Sequence, residues 1–245
     1  DLQSMRGTAH DKLWNSEYGQ KQKTERDHIY FGTVLEHILL QNLCAFYDVG
    51  EHNEMRLHGA DWNDALDMAW EKGESVAFTC AYAGNLRNIA KTLRQLEEIS
   101  GSSKIEIAHE MEDLLAGSVE LYEDAARKQA LLAGYAKKCE HNISGDTIVV
   151  RLDQLAANLE GKADWMMKNI RANEWVKDGE DGWFNGYYDN HGRKVEGVMD
   201  ESVRMMLTGQ VFAIMSGTAT EDQVESICRS ADKYLYDQKA GGYRL

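Results

Sequence analysis

Proline is absent from the 245 residues, against a usual share of about 5%. That absence suits a chain made mostly of helices, because proline breaks helix interiors and favours extended connections. No run of apolar residues is long enough for a transmembrane helix, which needs about 20. Cysteine is sparse: Cys44, Cys80, Cys139 and Cys228 stand far apart with no C-x-x-C pair. Neither a zinc site nor a redox motif is indicated, and reduced thiols packed as small hydrophobes in a cytoplasmic protein are expected. Positive charge is also scarce, with 27 Lys and Arg against 41 Asp and Glu and a net charge of -14. Nucleic-acid backbones and anionic membranes are poor partners for such a surface. It suits solubility and a neutral substrate such as a sugar. No Gly-rich phosphate loop, G-x-S-x-G elbow or Cys/His nucleophile pair occurs. The opening residues Asp1-Leu2-Gln3-Ser4 carry no basic-plus-apolar leader, and the chain is expected to be a fragment.

Six segments carry helical periodicity. The first spans about Glu25 to Tyr47, with Val34, Leu35, Ile38, Leu39 and Leu43 at three- and four-residue steps. The second spans about Glu74 to Ile99, with Gly84 inside it. The third runs from about Ile105 to Cys139 and is expected to break near Gly117 and Ser118, since glycine costs about 1 kcal/mol relative to alanine inside a helix. The fourth is about Leu152 to Val176, the fifth about Glu201 to Met215 and the sixth about Glu221 to Leu235. Thr220 with Gln223 forms a capping box for the sixth.

Two stretches interrupt this rhythm. Residues 51–73 are polar and rich in Trp and Asp. Residues 178–200 contain Trp183, Phe184, Tyr187 and Tyr188, then the turn residues Asp189-Asn190-His191-Gly192. A short hairpin is predicted there, with Gly182–Tyr188 and Arg193–Gly197 as arms. Long loops between regular helices are often functional. Six helices joined this way fit either half of a twelve-helix toroid or an independent helical array, in one helical domain over residues 1–245. Periodicity does not choose between them.

The sharpest local feature is Gly59-Ala60-Asp61-Trp62-Asn63-Asp64. It sets two carboxylates three residues apart, with an indole and an amide between them. A sugar-processing site needs such groups: a carboxylic acid to protonate the departing glycosidic oxygen, an aromatic face for the pyranose, and an amide that both donates and accepts. From the hexapeptide alone, Asp61 as a helix N-cap and Trp62 as a core residue is the simpler reading. The helix start at Gly73-Glu74-Ser75-Val76 offers N–H groups to an anion, although Glu74 reads more simply as a first-turn acid. The aromatic run 183–188 reads equally as a saccharide subsite or as a buried face. His37, His52 and His58 lack metal-ligand spacing and read as structural or surface histidines; no metal site is expected.

The order of the motifs adds to this. Thr33-Val34-Leu35-Glu36-His37-Ile38 precedes Gly50-Glu51-His52, then Gly59 to Asp64, then Gly73 to Val76. Asp181-Gly182-Trp183-Phe184, Tyr188-Asp189-Asn190-His191-Gly192 and Gly209-Gln210-Val211-Phe212 follow. From about Thr33 onward the chain resembles glycoside hydrolase family 94, the cellobiose phosphorylase-like enzymes. The resemblance implies an all-α (α/α)6 barrel, of which this chain supplies roughly the second half. It also implies an inverting glycoside phosphorylase that cleaves a β-linked disaccharide or oligosaccharide with inorganic phosphate and uses no other cofactor. On the family's pattern Asp64 is the general acid and Trp62 contacts the sugar whose bond breaks. Asp61, Asn63, Glu201 and Gln210 complete the implied substrate contacts, with Asp200 beside Glu201. The same resemblance implies a homodimer, while the cytoplasmic location is the one expected from the scattered cysteines.

This chain departs from the family's pattern in several places. Ala60 and Ala65 replace two glycines around the motif, and Phe212 replaces a tryptophan. A phosphate-binding histidine is not matched near Gly209. The family's downstream Thr-Gly pair would lie beyond Leu245, and its donor-gripping arginine and aspartate before Asp1. An inverting hydrolase using Asp200 or Glu201 as base, and a saccharide-binding helical module without turnover, are the competing readings.

Overall fold

The computed structural model describes residues 21–58, 68–199 and 202–244. Eight helical segments dominate these residues, one of them a 3-10 helix, and six small sheets join them. The helical expectation therefore stands, with more strand pairing than a single hairpin. No described helix is long and apolar enough to cross a membrane.

Helix α1 covers Val34–Tyr47. It starts later than its periodicity suggests, because Thr33 is extended and its Oγ1 accepts the Glu36 N–H at 3.0 Å, as an N-cap does. The preceding Lys23–Thr24 pairs with Asn142–Ile143 as a short parallel ladder. Helix α2 covers Val76–Ser100, is capped by Ser75, and stops at Gly101 with φ 68°. That left-handed conformation is cheap for glycine.

The third predicted helix is several elements. Lys104–Ala108 is a strand paired antiparallel with Thr147–Arg151. Ile105 and Ile107 face Val150 and Ile148 across this pair, a two-residue alternation of β-branched side chains that favours a strand over a helix. A 3-10 helix, His109–Leu115, follows. The expected break is at Gly117–Ser118, where Ser118 caps the short helix α3, Val119–Tyr122. Asp124 then caps α4, Ala125–Lys138.

Helix α5, Leu152–Asn173, makes the most extensive helix–helix contact of the fold, with α2. Leu86, Ala90 and Leu93 join Leu155, Ala156, Leu159 and Met166 in one core with Leu39, Leu43 and Phe46 of α1. Two lysines are buried in it. Lys162 donates to the Ala116 carbonyl at 2.8 Å and to Asn158 Oδ1 at 2.7 Å. Lys128 donates to Asn53 Oδ1 at 2.8 Å. Burial pulls both ammonium groups down to about 7, because a low-dielectric interior disfavours the charged form.

The predicted hairpin is redistributed. Asp181–Phe184 folds back on Trp175–Asp178, around Gly179 with φ 64°. Only the end of the predicted first arm meets the predicted second arm, through the Tyr188–Lys194 bridge and Val195 N–H to Tyr187 O at 3.0 Å. The Asp189-to-Gly192 turn between them is as expected, with Gly192 at φ 70°. Helix α6 is shorter than expected, Leu207–Met215, because Ser202–Arg204 pairs with Gly197–Met199 as a strand. Helix α7 covers Glu221–Tyr234 and carries the Thr220/Gln223 capping box.

Gly84 inside α2 has a packing reason. A Cβ there would lie 3.0 Å from Cα of Ser216, the residue that ends α6. The bare backbone lets the two helices approach closely.

Candidate active site

A three-stranded sheet brings the sequence motifs together. Glu74–Ser75 forms its centre, antiparallel to Met55–Arg56 on one side and to Tyr187–Tyr188 on the other. The Gly73-to-Val76 motif thus sits between the arm leading to residue 59 and the aromatic run ahead of Asp189. Residues 59–67, with Asp61, Trp62, Asn63 and Asp64, lie outside the described residues, as do Asp200 and Glu201. The chain on both sides of residues 59–67 is described, and it is firmly held.

On the entry side, Leu57 N–H donates to Gly73 O at 2.8 Å. The Asp48 carboxylate takes Arg56 Nε at 2.7 Å and His58 Nε2 at 2.6 Å. On the exit side, Asn190 N–H donates to the Met68 carbonyl at 2.8 Å. Asn190 Oδ1 accepts from the Glu71 and Lys72 N–H groups at 2.7 and 2.9 Å. Asn190 is itself set by Asp189, whose carboxylate accepts the His191 and Arg193 N–H groups at 2.8 and 2.9 Å.

Glu74 is not the first-turn acid its position suggested. It is a strand residue ahead of the Ser75 cap, and the first turn of α2 holds no acid. Its buried carboxylate turns to the segment 50–54. There it accepts the His52 N–H at 3.1 and 3.2 Å, His52 Nδ1 at 2.7 Å and the Glu54 N–H at 3.1 Å. Gly50 makes room, since a Cβ there would lie 2.2 Å from the Glu74 carboxyl carbon. The start of α2 offers little to an anion. The Val76 and Ala77 N–H groups donate to Gly186 O at 2.9 and 3.2 Å, and that of Phe78 to Ser75 Oγ at 3.0 Å.

More acids lie behind this sheet. Glu54 is wholly buried, and Asn169 Nδ2 reaches its Oε1 at 3.4 Å. Burial, with Glu174 and Glu74 nearby, pushes its carboxyl well above the usual range. Glu174 accepts the Tyr188 hydroxyl at 2.8 Å, Asn185 Nδ2 at 3.1 Å and Lys194 at 3.3 Å. Glu196 accepts the Gly186 N–H at 3.1 Å and Gln210 Nε2 at 3.2 Å, and burial raises it to about 8.

Gln210 sits in the same buried layer. Its Oε1 accepts the Phe184 N–H at 2.8 Å, and its Nε2 donates to Phe184 O at 2.7 Å and to Met206 O at 3.2 Å. The side chain thus pairs with Phe184 as a neighbouring strand would. The aromatic run takes the buried alternative: Trp183, Phe184, Tyr187 and Tyr188 are all core residues. Tyr188 stacks on His52, ring centroids 3.7 Å apart and 11° from parallel. His52 and His58 are each held by a carboxylate, in keeping with their structural reading. Among the described residues no group of three His, Cys, Asp or Glu side chains could hold a metal ion.

Sequence reasoning missed Glu54, Glu174, Glu196 and Asp48, which no motif or spacing marks. Asn190 could have been found, since its position in a turn of Asp, Asn and Gly already implied local side-chain-to-backbone bonding.

A layer of buried acids, Glu54, Glu174 and Glu196, thus lies in a mostly helical chain. Residues 150–243 match the family model described as Glycosyl hydrolase 94 superfamily, catalytic domain. The family resemblance read from the motifs therefore stands, with the match carried by the stretch from α5 to α7. Solabiose phosphorylase of Paenibacillus borealis is 25% identical over 206 residues, which cover 83% of this chain and 19% of that protein. The chain spans about a fifth of the length of this curated relative.

Proposed function

We propose that this chain forms part of the (α/α)6 catalytic barrel of an inverting glycoside phosphorylase. The substrate is a β-linked disaccharide or oligosaccharide, and the product is a sugar 1-phosphate. The observation that carries this reading is the convergence of the family-like motifs on the two ends of residues 59–67. Asp48 holds Arg56 and His58 on the entry side, and Asn190 holds Glu71 and Lys72 on the exit side, while Glu74 braces the segment 50–54 ahead of the entry. The family match and the phosphorylase relative support the same chemistry.

In this mechanism a phosphate oxygen attacks the anomeric carbon from the face opposite the departing sugar. The bond from that carbon to the glycosidic oxygen breaks, and Asp64 gives its proton to that oxygen. Asp64 is left as a carboxylate and is reprotonated before the next turnover. Trp62 packs against the sugar whose bond is broken, and Asp61, Asn63 and Glu201 bind its hydroxyls. Gln210 contributes at one remove by holding Phe184 in place. An inverting hydrolase would need a second carboxylate about 6.5–9.5 Å away to activate water; phosphate needs none, because it is already a nucleophile.

The test is to incubate the full-length protein with a panel of β-linked disaccharides, together with solabiose, with and without phosphate, and to follow products by NMR. Phosphate-dependent release of a sugar 1-phosphate of inverted configuration is expected. Phosphate-independent release of inverted free sugar would replace this reading with hydrolysis. Saccharide binding with no product would make the protein a binding module.

A further inference from the structure

A cavity of about 330 Å³ lies at the start of α1 and shares no lining residue with the layer of buried acids. Four places enclose it: the stretch 22–33 ahead of α1, the first turns of α1, the junction of strand Lys104–Ala108 with the 3-10 helix, and the end of α4. Residues 48–58 leave from the other end of α1. The 14 residues of that helix span about 21 Å, so the cavity is separate from the proposed reaction and does not involve residues 59–67.

Much of the lining is apolar: Leu40, Ala108, Met111 and Ile143, with the rings of Tyr30 and Tyr135. Two buried acids stand among them, Glu36 and Glu110. Glu36 has a partner, the Tyr30 hydroxyl, which donates to its Oε2 at 3.0 Å. Gly32 leaves space beside it, since a Cβ there would lie 2.8 Å from Glu36 Oε1. Glu110 is only half satisfied. Its Oε1 accepts the Ser144 N–H at 2.7 Å, but its Oε2 is buried with no hydrogen-bond partner among the described residues. Burial works against a charge there, yet the N–H and hydroxyl of Ser144 outweigh it and hold the carboxyl below its ordinary range. Both acids act on Tyr30: burial first, then Glu36 and Glu110, push its hydroxyl above the ordinary value, so it stays a donor.

Among the described residues no Lys or Arg lines the cavity. Lys138 is near enough to feel Glu110, but its ammonium goes to Asp113 at 2.5 Å. A half-satisfied carboxylate in an apolar setting is costly, and a cation with its own N–H donors removes that cost. Anions are repelled by both acids. Ca²⁺ and Mg²⁺ need about six or more oxygen ligands, and no group of three metal-binding side chains occurs among the described residues. An ammonium on a compact apolar body meets each feature of the lining. It brings N–H donors to Glu110, a charge to the aromatic rings, and carbon to Leu40, Met111 and Ile143. We propose that this cavity is a binding site for a small organic cation, a protonated primary amine on a compact apolar body. Its volume, near the lower end for small-molecule sites, sets the compactness. Nothing in this depends on the phosphorylase reading.

The experiment uses the full-length protein and three probes of one shape: benzylamine, benzyl alcohol and benzoate. Calorimetry at neutral pH compares their affinities. Benzylamine should bind about tenfold more tightly than benzyl alcohol, as a hydrogen bond to a charged group is worth, and benzoate should not bind. Cys139 lines the cavity, whereas Cys228 is exposed and lies outside it. Saturating benzylamine should therefore slow iodoacetamide alkylation of Cys139 and leave that of Cys228 unchanged, as peptide mass spectrometry reads. Glu110→Gln keeps an acceptor for the Ser144 N–H and should erase the preference for the amine over the alcohol. If that variant does not fold, protection of Cys139 in the wild type decides. No binding of benzylamine, equal affinity for amine and alcohol, or an unprotected Cys139 would overturn the proposal.

Discussion

Gly50 and Glu74 give the sharpest test of the frame, through a double-mutant cycle. Glu74→Ala removes the acceptor for two backbone N–H groups and one imidazole nitrogen. A buried donor left unpaired costs about 1–3 kcal/mol, so two such donors with some water access give a loss of about 3–4 kcal/mol. At about 2–4 °C per kcal/mol for a domain of this size, the melting temperature falls by roughly 10 °C. Gly50→Ala acts on the same bonds from the other side, because its Cβ would lie 2.2 Å from the Glu74 carboxyl carbon. A flexible carboxylate would swing away at little cost, but this one is pinned by the 50–54 segment. Gly50→Ala alone should therefore cost about 2–3 kcal/mol. In the Glu74→Ala background that clash no longer exists, and the same substitution should cost about 0.5 kcal/mol or less. Urea denaturation of the four proteins measures the coupling. Additive single-mutant losses would refute the contact and with it the role assigned to Gly50.

Asn190→Ala should lower kcat several-fold with little change in KM, since it frees the Glu71 and Lys72 N–H groups on the exit side of residues 59–67, while Asn190→Asp, which keeps the acceptor, should stay near wild type; steady-state phosphorolysis separates the two. Glu196 carries a folded-state value of about 8, above its ordinary 4.5, so the native state holds more protons than the unfolded chain between those values. Its contribution to stability is full at low pH and is lost as pH rises through about 8. Glu196→Gln should flatten that part of the stability–pH curve, which urea midpoints from pH 5 to pH 9 will show. Gly84→Val should destabilise by about 1–3 kcal/mol by pushing α2 from Ser216; an unchanged thermal midpoint would contradict the close approach.

Helix α7 is legible because its capping box, acidic first turn and periodicity agree. Helix α2 is legible from its apolar periodicity alone, with Gly84 as an apparent flaw that only Ser216 explains. Residues 104–115 are misread because Ile105 and Ile107 fit helical spacing loosely and strand alternation well, and the deciding partner, Thr147–Arg151, is distant in sequence. The hairpin is misread for a related reason: Asp181–Phe184 resembles an outgoing arm, yet its partner lies upstream at Trp175–Asp178. Around the candidate site, the motif order is readable but the supporting acids are not. Glu54, Glu174 and Glu196 look like ordinary surface charges until folding buries them beside Asn169, Tyr188 and Gln210. Burial of a single charged residue depends on partners from several elements, which no local pattern records.

The most direct measurement of the central claim compares Asp64→Asn with the full-length wild type on two substrates in the presence of phosphate. One is the disaccharide the wild type cleaves, and the other is an aryl glycoside of the same sugar whose acidic phenol departs without protonation. Loss of turnover on the disaccharide, with turnover kept on the aryl glycoside and an unchanged urea midpoint, is the result expected if Asp64 supplies the proton. Near-wild-type phosphorolysis of the disaccharide by Asp64→Asn would contradict the assignment.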